Sequence, residues 1–241
     1  KIMSAQKKDY VNVVYNEQDR PLTTYPQQLT RYLFDKYKLK EEDKLLDIGC
    51  GRGEFLHGFI ECGVAGYGVD QSRAAEHYCP DAVLKISDLE NDGIPYEDNF
   101  FDVVYSKSVI EHFYYPERML AEMFRVLKPG GLAITLCPDW EFNYRIYFED
   151  YTHRTPFMQS SLRDIHLIYG FENVSVGVFR QLPILWGYWG RWLLPFAELT
   201  RLLAPFFLKS HSKWVRFSKE IMLISSARKP NNKLSESEKK Q

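Results

Sequence analysis

The segment that most constrains the fold is residues 45–53, which read Leu-Leu-Asp-Ile-Gly-Cys-Gly-Arg-Gly. A short apolar run containing an acid is followed by glycines at positions 49, 51 and 53. Glycine tolerates a positive φ and has no Cβ, so a turn built this way lets the backbone approach a ligand closely. The segment therefore predicts a strand, a ligand-binding turn, and a helix over residues 54–61 whose first amides face an anionic group of the ligand.

The residues around this turn exclude two common phosphate-binding loops. Glu54 stands where the dinucleotide-binding pattern GxGxxG requires its last glycine. No Gly-Lys-Ser or Gly-Lys-Thr follows, which excludes a Walker A loop. Asp47, two residues before Gly49, adds an acid that a plain phosphate cradle does not need. The turn is therefore of another kind.

Short apolar segments alternate with helical segments along the rest of the chain. Strands are predicted at residues 44–48, 66–70, 82–87, 101–106, 132–137, 172–179 and 220–227. Helices are predicted at residues 26–38, 54–61, 116–127 and 160–169, with a further helix that begins at residues 71–72. This alternation predicts an α/β fold with a doubly wound, mostly parallel sheet.

The composition limits the classes of protein to which the chain can belong. Its 241 residues suit one large domain, which buries enough surface to need no disulfide or metal staple. With 31 basic and 32 acidic residues, a nucleic-acid groove is not expected. The four cysteines are scattered, as in reduced proteins, and residues 1–10 lack the apolar core of a signal peptide. We expect a cytoplasmic protein without a nucleic-acid partner.

Further polar residues follow the predicted strands at the edge of the sheet that carries the glycine turn. Asp70 ends the second strand, and Asp88 with Leu89 follows the third. A carboxylate at the end of the second strand can accept hydrogen bonds from both hydroxyls of a ribose. The fourth strand leads into Ser-Lys-Ser-Val-Ile-Glu-His over residues 106–112. Each feature alone is common, but their order along the chain indicates a single ligand site at this edge of the sheet.

Together these residues resemble the D/E-x-G-x-G-x-G loop and the strand ends of class I S-adenosylmethionine (SAM)-dependent methyltransferases, in particular the methyltransferase-11-like branch. The resemblance covers residues 44–137 and implies a Rossmann-like fold with a seven-stranded sheet whose last strand is antiparallel. It implies that the glycine turn holds the methionine part of SAM, that Asp70 binds the ribose, and that Asp88 and Leu89 meet the adenine. The implied cofactor site comprises Asp47, Gly49, Cys50, Gly51, Arg52, Gly53, Asp70, Gln71, Asp88, Leu89 and Ser106.

The methyl acceptor is less constrained than the cofactor. Family members that methylate amino groups of planar bases often carry Asn/Asp-Pro-Pro-Tyr after the fourth strand, whereas this chain has Ser-Lys-Ser-Val at residues 106–109. Together with the balanced charge, this favours O-methylation of a small hydroxylated acceptor, with a sugar or glycan intermediate as first choice. A quinone or another apolar, lipid-like acceptor is the alternative for an enzyme. A non-catalytic SAM-binding scaffold is the alternative from another class.

Methyl transfer to a hydroxyl needs a group that removes the proton of that hydroxyl. His112, Asp139, Asp150 and His153 follow strands four and five, where such a group is expected. Residues 150–157 read Asp-Tyr-Thr-His-Arg-Thr-Pro-Phe, which is similar to a segment of some methyltransferases encoded with glycan pathways. We predict His153 as the base and Asp150 as the residue that orients it, with His112 as a further catalytic candidate.

These assignments have alternatives. Residues 152–155 also fit a hydrogen-bonded cap of the following helix, and His112 also fits a support for the wall of the site. A metal shared by Asp139, Asp150 and His153 is conceivable, but their spacing matches no recognised ligand set. No metal site is therefore predicted.

An aromatic, helical insertion is predicted between the last two strands. It covers residues 180–219, contains four of the five tryptophans, and is too interrupted by charges and prolines to span a bilayer. We favour a cap over the substrate cleft. Docking on a membrane or a lipid-linked acceptor through residues 182–219, and a homodimer surface, are the alternatives. The predicted domain covers residues 26–227, after a loose arm (1–25) and before a disordered tail (228–241).

Overall fold

Seven strands form one sheet in the order β3-β2-β1-β4-β5-β7-β6 in the computed structural model, which describes residues 21–203 and 213–231. The strands are β1 Lys44–Ile48, β2 Ala65–Asp70, β3 Val83–Ile86, β4 Phe101–Lys107, β5 Leu127–Pro138, β6 Glu172–Arg180 and β7 Ile221–Arg228. β7 pairs antiparallel with β5 and β6, and the other neighbouring pairs are parallel. The predicted mostly parallel, seven-stranded α/β fold is therefore confirmed.

Helices connect most of these strands. The described α-helices are α1 Tyr25–Tyr37, α2 Glu54–Ile60, α3 Ala75–Tyr78, α4 Pro116–Val126, α5 Trp140–Asn143, α6 Gln159–Ile168, α7 Leu194–Leu203 and α8 Lys213–Lys219. Shorter 3₁₀ segments cover Ile110–His112, Tyr147–Glu149, Pro183–Leu185 and Tyr188–Leu193. Pro26 and Pro116 stand in the first turns of α1 and α4, where an amide proton has no helical partner to lose.

The hydrophobic core lies on both faces of the sheet. Alternate side chains of a strand point to opposite faces, so Leu46 and Ile48 join the core beneath α4 and α6, while Leu45 joins the core beneath α1 and α2. All three are fully buried. A strand covered on both faces needs the apolar run that β1 has. The polar residues that follow such strands are left at the carboxyl edge of the sheet, where the candidate site forms.

Strand β5 is longer than predicted. It starts at Leu127 rather than at residue 132, because Leu127 pairs with Phe101 before the chain bulges and resumes regular pairing at Leu132. Gly130 takes a φ of 78° inside this bulge. The Lys-Pro-Gly-Gly sequence therefore ends α4, as predicted, and also belongs to the strand.

The aromatic insertion lies between β6 and β7 and contains α7 and α8. It starts after Arg180, because β6 is one residue longer than predicted. Trp186 packs the first part of the insertion against α1 and β6. Its indole stacks on Tyr32 and Phe179, with ring centroids 4.9 and 5.5 Å away, and donates to the carbonyl of Arg180. Glu198 of α7 forms an ion pair with the same arginine. In the described part of the chain, no helix is long and apolar enough to cross a membrane.

The chain ends are described only in part. Residues 1–20 of the predicted arm, 204–212 of the insertion and 232–241 of the predicted tail lie outside the described residues. Where the tail is described it is held in place, because the ammonium of Lys229 donates to the backbone carbonyl of Leu127 at 2.9 Å. The structured domain therefore extends past the predicted boundary at residue 227.

Candidate active site

The glycine turn after β1 has the backbone that the sequence predicts. Gly49, Gly51 and Gly53 take φ angles of 69°, 55° and 81°. A Cβ at Gly49 would lie 2.4 Å from Cγ2 of Val109, whereas a Cβ at Gly51 would meet no atom within 4 Å. The first glycine is therefore required by packing, and the second leaves open the space in front of the turn.

Asp70 at the end of β2 holds this turn in place. Its carboxylate accepts hydrogen bonds from the amides of Gly51 and Ser72, both at 2.8 Å. Arg52 is buried and forms an ion pair with Glu54 at 2.8 Å. The acid that is predicted to bind a ribose thus also positions the loop that is predicted to bind the methionine end of the cofactor.

A cavity of about 1170 Å³ opens in front of the turn. Seven of the eleven predicted cofactor residues line it, namely Gly49, Cys50, Gly51, Arg52, Asp70, Gln71 and Leu89. The predicted catalytic residues His112, Asp150 and His153 line the same cavity. One space therefore joins the predicted cofactor and acceptor sides, and its volume accommodates two small ligands.

Two predicted cofactor residues support the turn from behind instead of lining the cavity. Ser106 is fully buried within β4. Gly53 packs closely, since a Cβ there would lie 2.7 Å from Cβ of Cys79. Neither residue therefore lines the cavity, and their assignment to the cofactor site stays a prediction. The sequence places them beside the turn but does not show on which side of the backbone the open space lies.

The predicted acids Asp47 and Asp88 also do not line the cavity. Asp47 is buried in β1, and this burial, followed by the charge of Asp70, raises its pKa well above the usual range. Asp88 accepts hydrogen bonds from the amides of Glu90 and Asn91 and so shapes the turn after β3. Asp47 is thus enclosed by the protein and Asp88 is half-buried, and the assignment of both acids to the cofactor site stays a prediction.

Sequence reasoning missed several residues of the cavity wall. Tyr25 of α1, Phe55 of α2 and Lys107 of β4 line it, and the Lys107 ammonium lies 5.2 Å from the centre of the Phe55 ring. Phe217 of α8 lines it too and packs on Tyr25, with ring centroids 4.9 Å apart. These aromatic residues lie on helices and belong to no motif. Only the aromatic content of the insertion pointed to such a wall.

Three side chains from two distant segments meet at the wall of this cavity. Glu111 and His112 lie in the 3₁₀ turn after β4, and His153 lies in the loop before α6. One carboxylate oxygen and one nitrogen from each ring lie within 4.8 Å of one another. The centroids of the two imidazoles are 4.9 Å apart. The structure thus brings together the two predicted histidines and adds Glu111, which the sequence analysis does not select.

Hydrogen bonds fix the orientation of both imidazole rings. Oγ1 of Thr152 donates its proton to Asp150 at 2.5 Å, so it accepts from Nδ1 of His112 at 2.9 Å. Nδ1 of His153 donates to the carbonyl of Tyr147 at 2.6 Å. In each neutral ring the lone pair therefore lies on Nε2. Each histidine presents one basic nitrogen whose position is set by a neighbouring group.

The predicted orientation of His153 by Asp150 is corrected by these contacts. Asp150 holds Thr152 and, through its hydroxyl, His112. A backbone carbonyl holds His153 instead. Spacing along the loop places Asp150 near both rings, but only the folded path of residues 147–153 decides which ring it reaches.

The alternative interpretation of residues 152–155 as a helix cap is also wrong. The hydroxyl of Thr155 donates to the carbonyl of Phe113 at 2.8 Å, and its amide donates to the carbonyl of Glu111 at 3.1 Å. The loop is thus tied to the turn after β4 and not to α6. Asp139, another candidate base, caps α5 through the amide of Glu141 and does not line the cavity.

Burial dominates the electrostatics of this cluster. Glu111 is fully buried, which raises its pKa to about 8, and its own amide, the charge of Lys107 and the amide of Val109 offset only part of that effect. Neither carboxylate oxygen forms a hydrogen bond of normal geometry within the described part of the chain. Burial, followed by the neighbouring His153, lowers the pKa of His112. The wall therefore favours the neutral imidazole of His112 and leaves the buried acid Glu111 unsatisfied.

The fold and the site together define the class of protein. A glycine turn at the carboxyl edge of a mainly parallel sheet, with an acid ending the next strand, is the arrangement of domains that bind a nucleoside-containing cofactor. Residues 15–176, more than half of the chain, match the family of methyltransferase domains. The chain belongs to this methyltransferase domain family. The class that the glycine turn and the strand ends predict is thereby confirmed.

Similar proteins agree with this membership. An uncharacterised methyltransferase of Mycobacteroides abscessus is 36% identical over 103 residues, which are 40% of this chain and 40% of that relative. The chain therefore spans about two fifths of the length of this curated relative.

Two solved structures share the fold. One belongs to the complex between the Haloferax volcanii Trm112 methyltransferase activator and a methyltransferase, with a TM-score of 0.70 at 16% identity over 93% of this chain and 100% of that one. The other is a SAM-dependent methyltransferase of Archaeoglobus fulgidus, with a TM-score of 0.64 at 20% identity over 92% and 100% of the two chains.

Proposed function

We propose that this chain is a SAM-dependent methyltransferase that acts on a hydroxyl of a small acceptor, with a sugar or glycan intermediate as first choice. The observation that carries the proposal is the single cavity that joins the glycine turn and Asp70 to the imidazoles of His112 and His153. Methyl transfer needs both ends of such a cavity, because the acceptor must be held in line with the methyl group and must lose a proton.

The residues at the first end fit SAM. Gly51 leaves open a space that a Cβ would fill, Asp70 offers carboxylate oxygens toward ribose hydroxyls, and Leu89 lines the cavity where an adenine would pack. When bound there, SAM supplies a methyl group that is already activated on a sulfonium. The protein then has to position the acceptor, exclude water and take up one proton.

The residues at the second end fit proton removal. Nδ1 of His153 is held as a donor by the carbonyl of Tyr147, which leaves Nε2 free to accept the proton of an acceptor hydroxyl. His112 is oriented in the same sense by Thr152. The wall on this side mixes aromatic and polar groups, as a sugar requires. The residues concerned are Phe113, Asn143, Tyr147, Glu149 and Tyr151.

Calorimetry with S-adenosylhomocysteine tests the cofactor half. We expect the wild-type protein to bind it, and Asp70→Asn to bind about 10–100-fold more weakly, because a charged hydrogen-bond acceptor contributes about 1.5–3 kcal/mol. Glu76→Gln, an exposed acid outside the cavity, serves as the control with unchanged affinity. A folded wild-type protein that shows no binding at about 1 mM would end the methyltransferase proposal.

The acceptor half is tested with labelled SAM and a panel of sugars, nucleotide-linked sugars and quinones. Transfer to a sugar hydroxyl is the expected result. Transfer confined to the quinones would replace the first choice with the apolar acceptor, to which the rings of Tyr25, Phe55 and Phe217 in the wall would be suited. Cofactor binding with no transfer to any acceptor would favour the scaffold function.

The exposed side of the insertion is suited to contact with a membrane or a lipid-linked acceptor. Eight large apolar side chains within residues 184–203 are exposed, and those on α7 recur every three or four residues along one face. They are Ile184, Tyr188, Trp189, Trp192, Phe196, Leu199, Leu202 and Leu203. This apolar patch suits the headgroup region of a membrane or a lipid-linked acceptor, while α8 contributes to the cavity wall. In this proposal, one insertion both covers the cavity and docks on lipid.

The basic cluster that is predicted to support membrane docking is only partly described. Arg216 forms an ion pair with Glu220 at 2.9 Å, and Lys219 is buried. The preceding residues 209–212 lie outside the described residues. Contact with lipid is therefore proposed to depend mainly on the apolar patch and only weakly on anionic headgroups.

Replacing Trp189 and Trp192 together by serine should lower binding to phosphatidylcholine vesicles about tenfold or more, because both indoles are more than two thirds exposed and would be buried on docking. Co-sedimentation measures the bound fraction. Tyr115→Ser removes an exposed ring outside the patch and should leave binding unchanged. Equal sedimentation of wild type and the double variant would remove the membrane contact and leave the insertion as a cap.

A further inference from the structure

We propose that Glu111, His112 and His153 bind a divalent transition-metal ion at the wall of the cavity. Their ligand atoms come from two segments about forty residues apart and converge to within 4.8 Å. Two imidazoles and one carboxylate form a recognised facial ligand set that leaves coordination positions open for a substrate. Two of the three residues were predicted to be catalytic, but as proton acceptors and not as ligands.

The carboxylate is the first argument for an ion. Glu111 is fully buried, and neither of its oxygens has a hydrogen bond of normal geometry within the described structure. A buried carboxyl group normally has a hydrogen-bonding or charged partner, because leaving it unsatisfied is costly. A cation between Glu111 and the two histidines would provide that partner.

The imidazoles are the second argument. Nδ1 of His112 donates to Thr152, which in turn donates to Asp150, and Nδ1 of His153 donates to the carbonyl of Tyr147. Such contacts are the usual outer partners of metal-ligating histidines, because they fix the tautomer and direct the Nε2 lone pair to the ion. Both rings therefore have the protonation pattern that coordination requires.

The spacing of the ligand atoms shows how far the side chains must move to bind an ion. Donor atoms around a metal at about 2.1 Å lie about 3–3.5 Å apart, so side-chain adjustments of about 1 Å would close this site. Nitrogen and oxygen donors in this ratio favour zinc, iron(II), manganese(II) or cobalt(II) over magnesium or calcium. The metal that was considered from the sequence required Asp139, which caps α5 instead of lining the cavity.

The role of the ion rests on the proposed function. An acceptor hydroxyl that binds an open position becomes more acidic and loses its proton to water in the cavity. The resulting oxygen forms a bond to the methyl carbon as the carbon–sulfur bond breaks, and the sulfur keeps the electron pair as a neutral thioether. The positive charge that the sulfonium loses leaves as the released proton, so the step balances in atoms and charge. In this scheme the two histidines act as ligands, and the acceptor would offer one oxygen or two neighbouring oxygens.

Titration with cobalt(II) chloride tests the site without an acceptor. Chelator-treated wild-type protein should bind one equivalent and develop the visible absorption of a nitrogen-ligated cobalt ion. Glu111→Gln and His153→Gln should each weaken this binding at least about tenfold. His77→Gln removes an exposed histidine outside the cavity and should leave the binding unchanged.

Each result decides the proposal. It is overturned if the wild type binds no cobalt at about 1 mM, or if Glu111→Gln and His153→Gln bind it as tightly as the wild type does. Calorimetry with S-adenosylhomocysteine on the same samples separates this failure from that of the proposed function. If the cofactor still binds but cobalt does not, only the proposed metal site is wrong. If neither binds to the folded wild-type protein, the proposed methyltransferase function is wrong as well.

Discussion

Replacing His153 by glutamine is expected to lower kcat for the best hydroxylated acceptor by about 10²–10⁴, with little change in the affinity for S-adenosylhomocysteine. The imidazole lies at the cavity wall beyond the glycine turn. Of its two nitrogens, Nδ1 donates to the carbonyl of Tyr147, so Nε2 is the one that can accept a proton or bind an ion. Glutamine keeps the length of the side chain and an amide that can still donate to Tyr147. The loss should therefore appear in turnover and not in folding.

Transfer of a labelled methyl group from SAM measures the turnover, and calorimetry measures the cofactor affinity. His77→Gln, an exposed histidine outside the cavity, is the matched control and should keep wild-type turnover. If His153→Gln turned over at nearly the wild-type rate, His153 would have a purely structural role in holding the loop. The proposed proton acceptor and the proposed metal ligand would then both be wrong.

Replacing Gly51 by alanine should lower the affinity for S-adenosylhomocysteine at least about tenfold while costing only about 1 kcal/mol of stability. The added methyl group meets no protein atom within 4 Å, so it enters the space that the cofactor needs. The φ of 55° is accessible to alanine at a moderate cost. Binding should thus fail in a protein that is still folded.

Gly49→Ala provides the contrasting result. Its Cβ would lie 2.4 Å from Cγ2 of Val109 at a φ of 69°, so we expect a loss of about 2–5 kcal/mol in the free energy of unfolding. Gly177→Ala in β6 meets no atom within 4 Å and should change neither stability nor binding. Thermal unfolding and calorimetry on the three variants give the comparison. Normal cofactor binding by Gly51→Ala would place the cofactor elsewhere in the cavity.

Local chemistry predicts the cofactor end of the site well, because its elements are close in sequence. A turn that needs three positive φ angles needs glycines, and a strand buried on both faces needs an apolar run, so β1 and its turn are visible in residues 45–53. Asp70 is visible for a similar reason, since it ends the next strand. Local chemistry does not show which residues of the turn and strand ends face the cavity. Ser106 is fully buried, and Gly53 packs closely against Cys79.

The acceptor end depends on contacts between distant segments. Glu111 and His153 are separated by more than forty residues, and they meet only because the loop after β5 is tied by Thr155 to the turn after β4. The same loop decides that Asp150 reaches His112 through Thr152. No periodicity or spacing in the sequence encodes these pairings.

The sequence by itself therefore determined the class of protein, the alternation of strands and helices, and the turn where the cofactor is proposed to bind. These follow from backbone sterics and hydrophobic periodicity, which act over a few residues. The tertiary structure alone decided that Glu111 joins the two histidines, that Asp150 orients the first of them, and that the insertion is both wall and exposed patch. These follow from packing and hydrogen bonding between segments that only the folded sheet brings into contact.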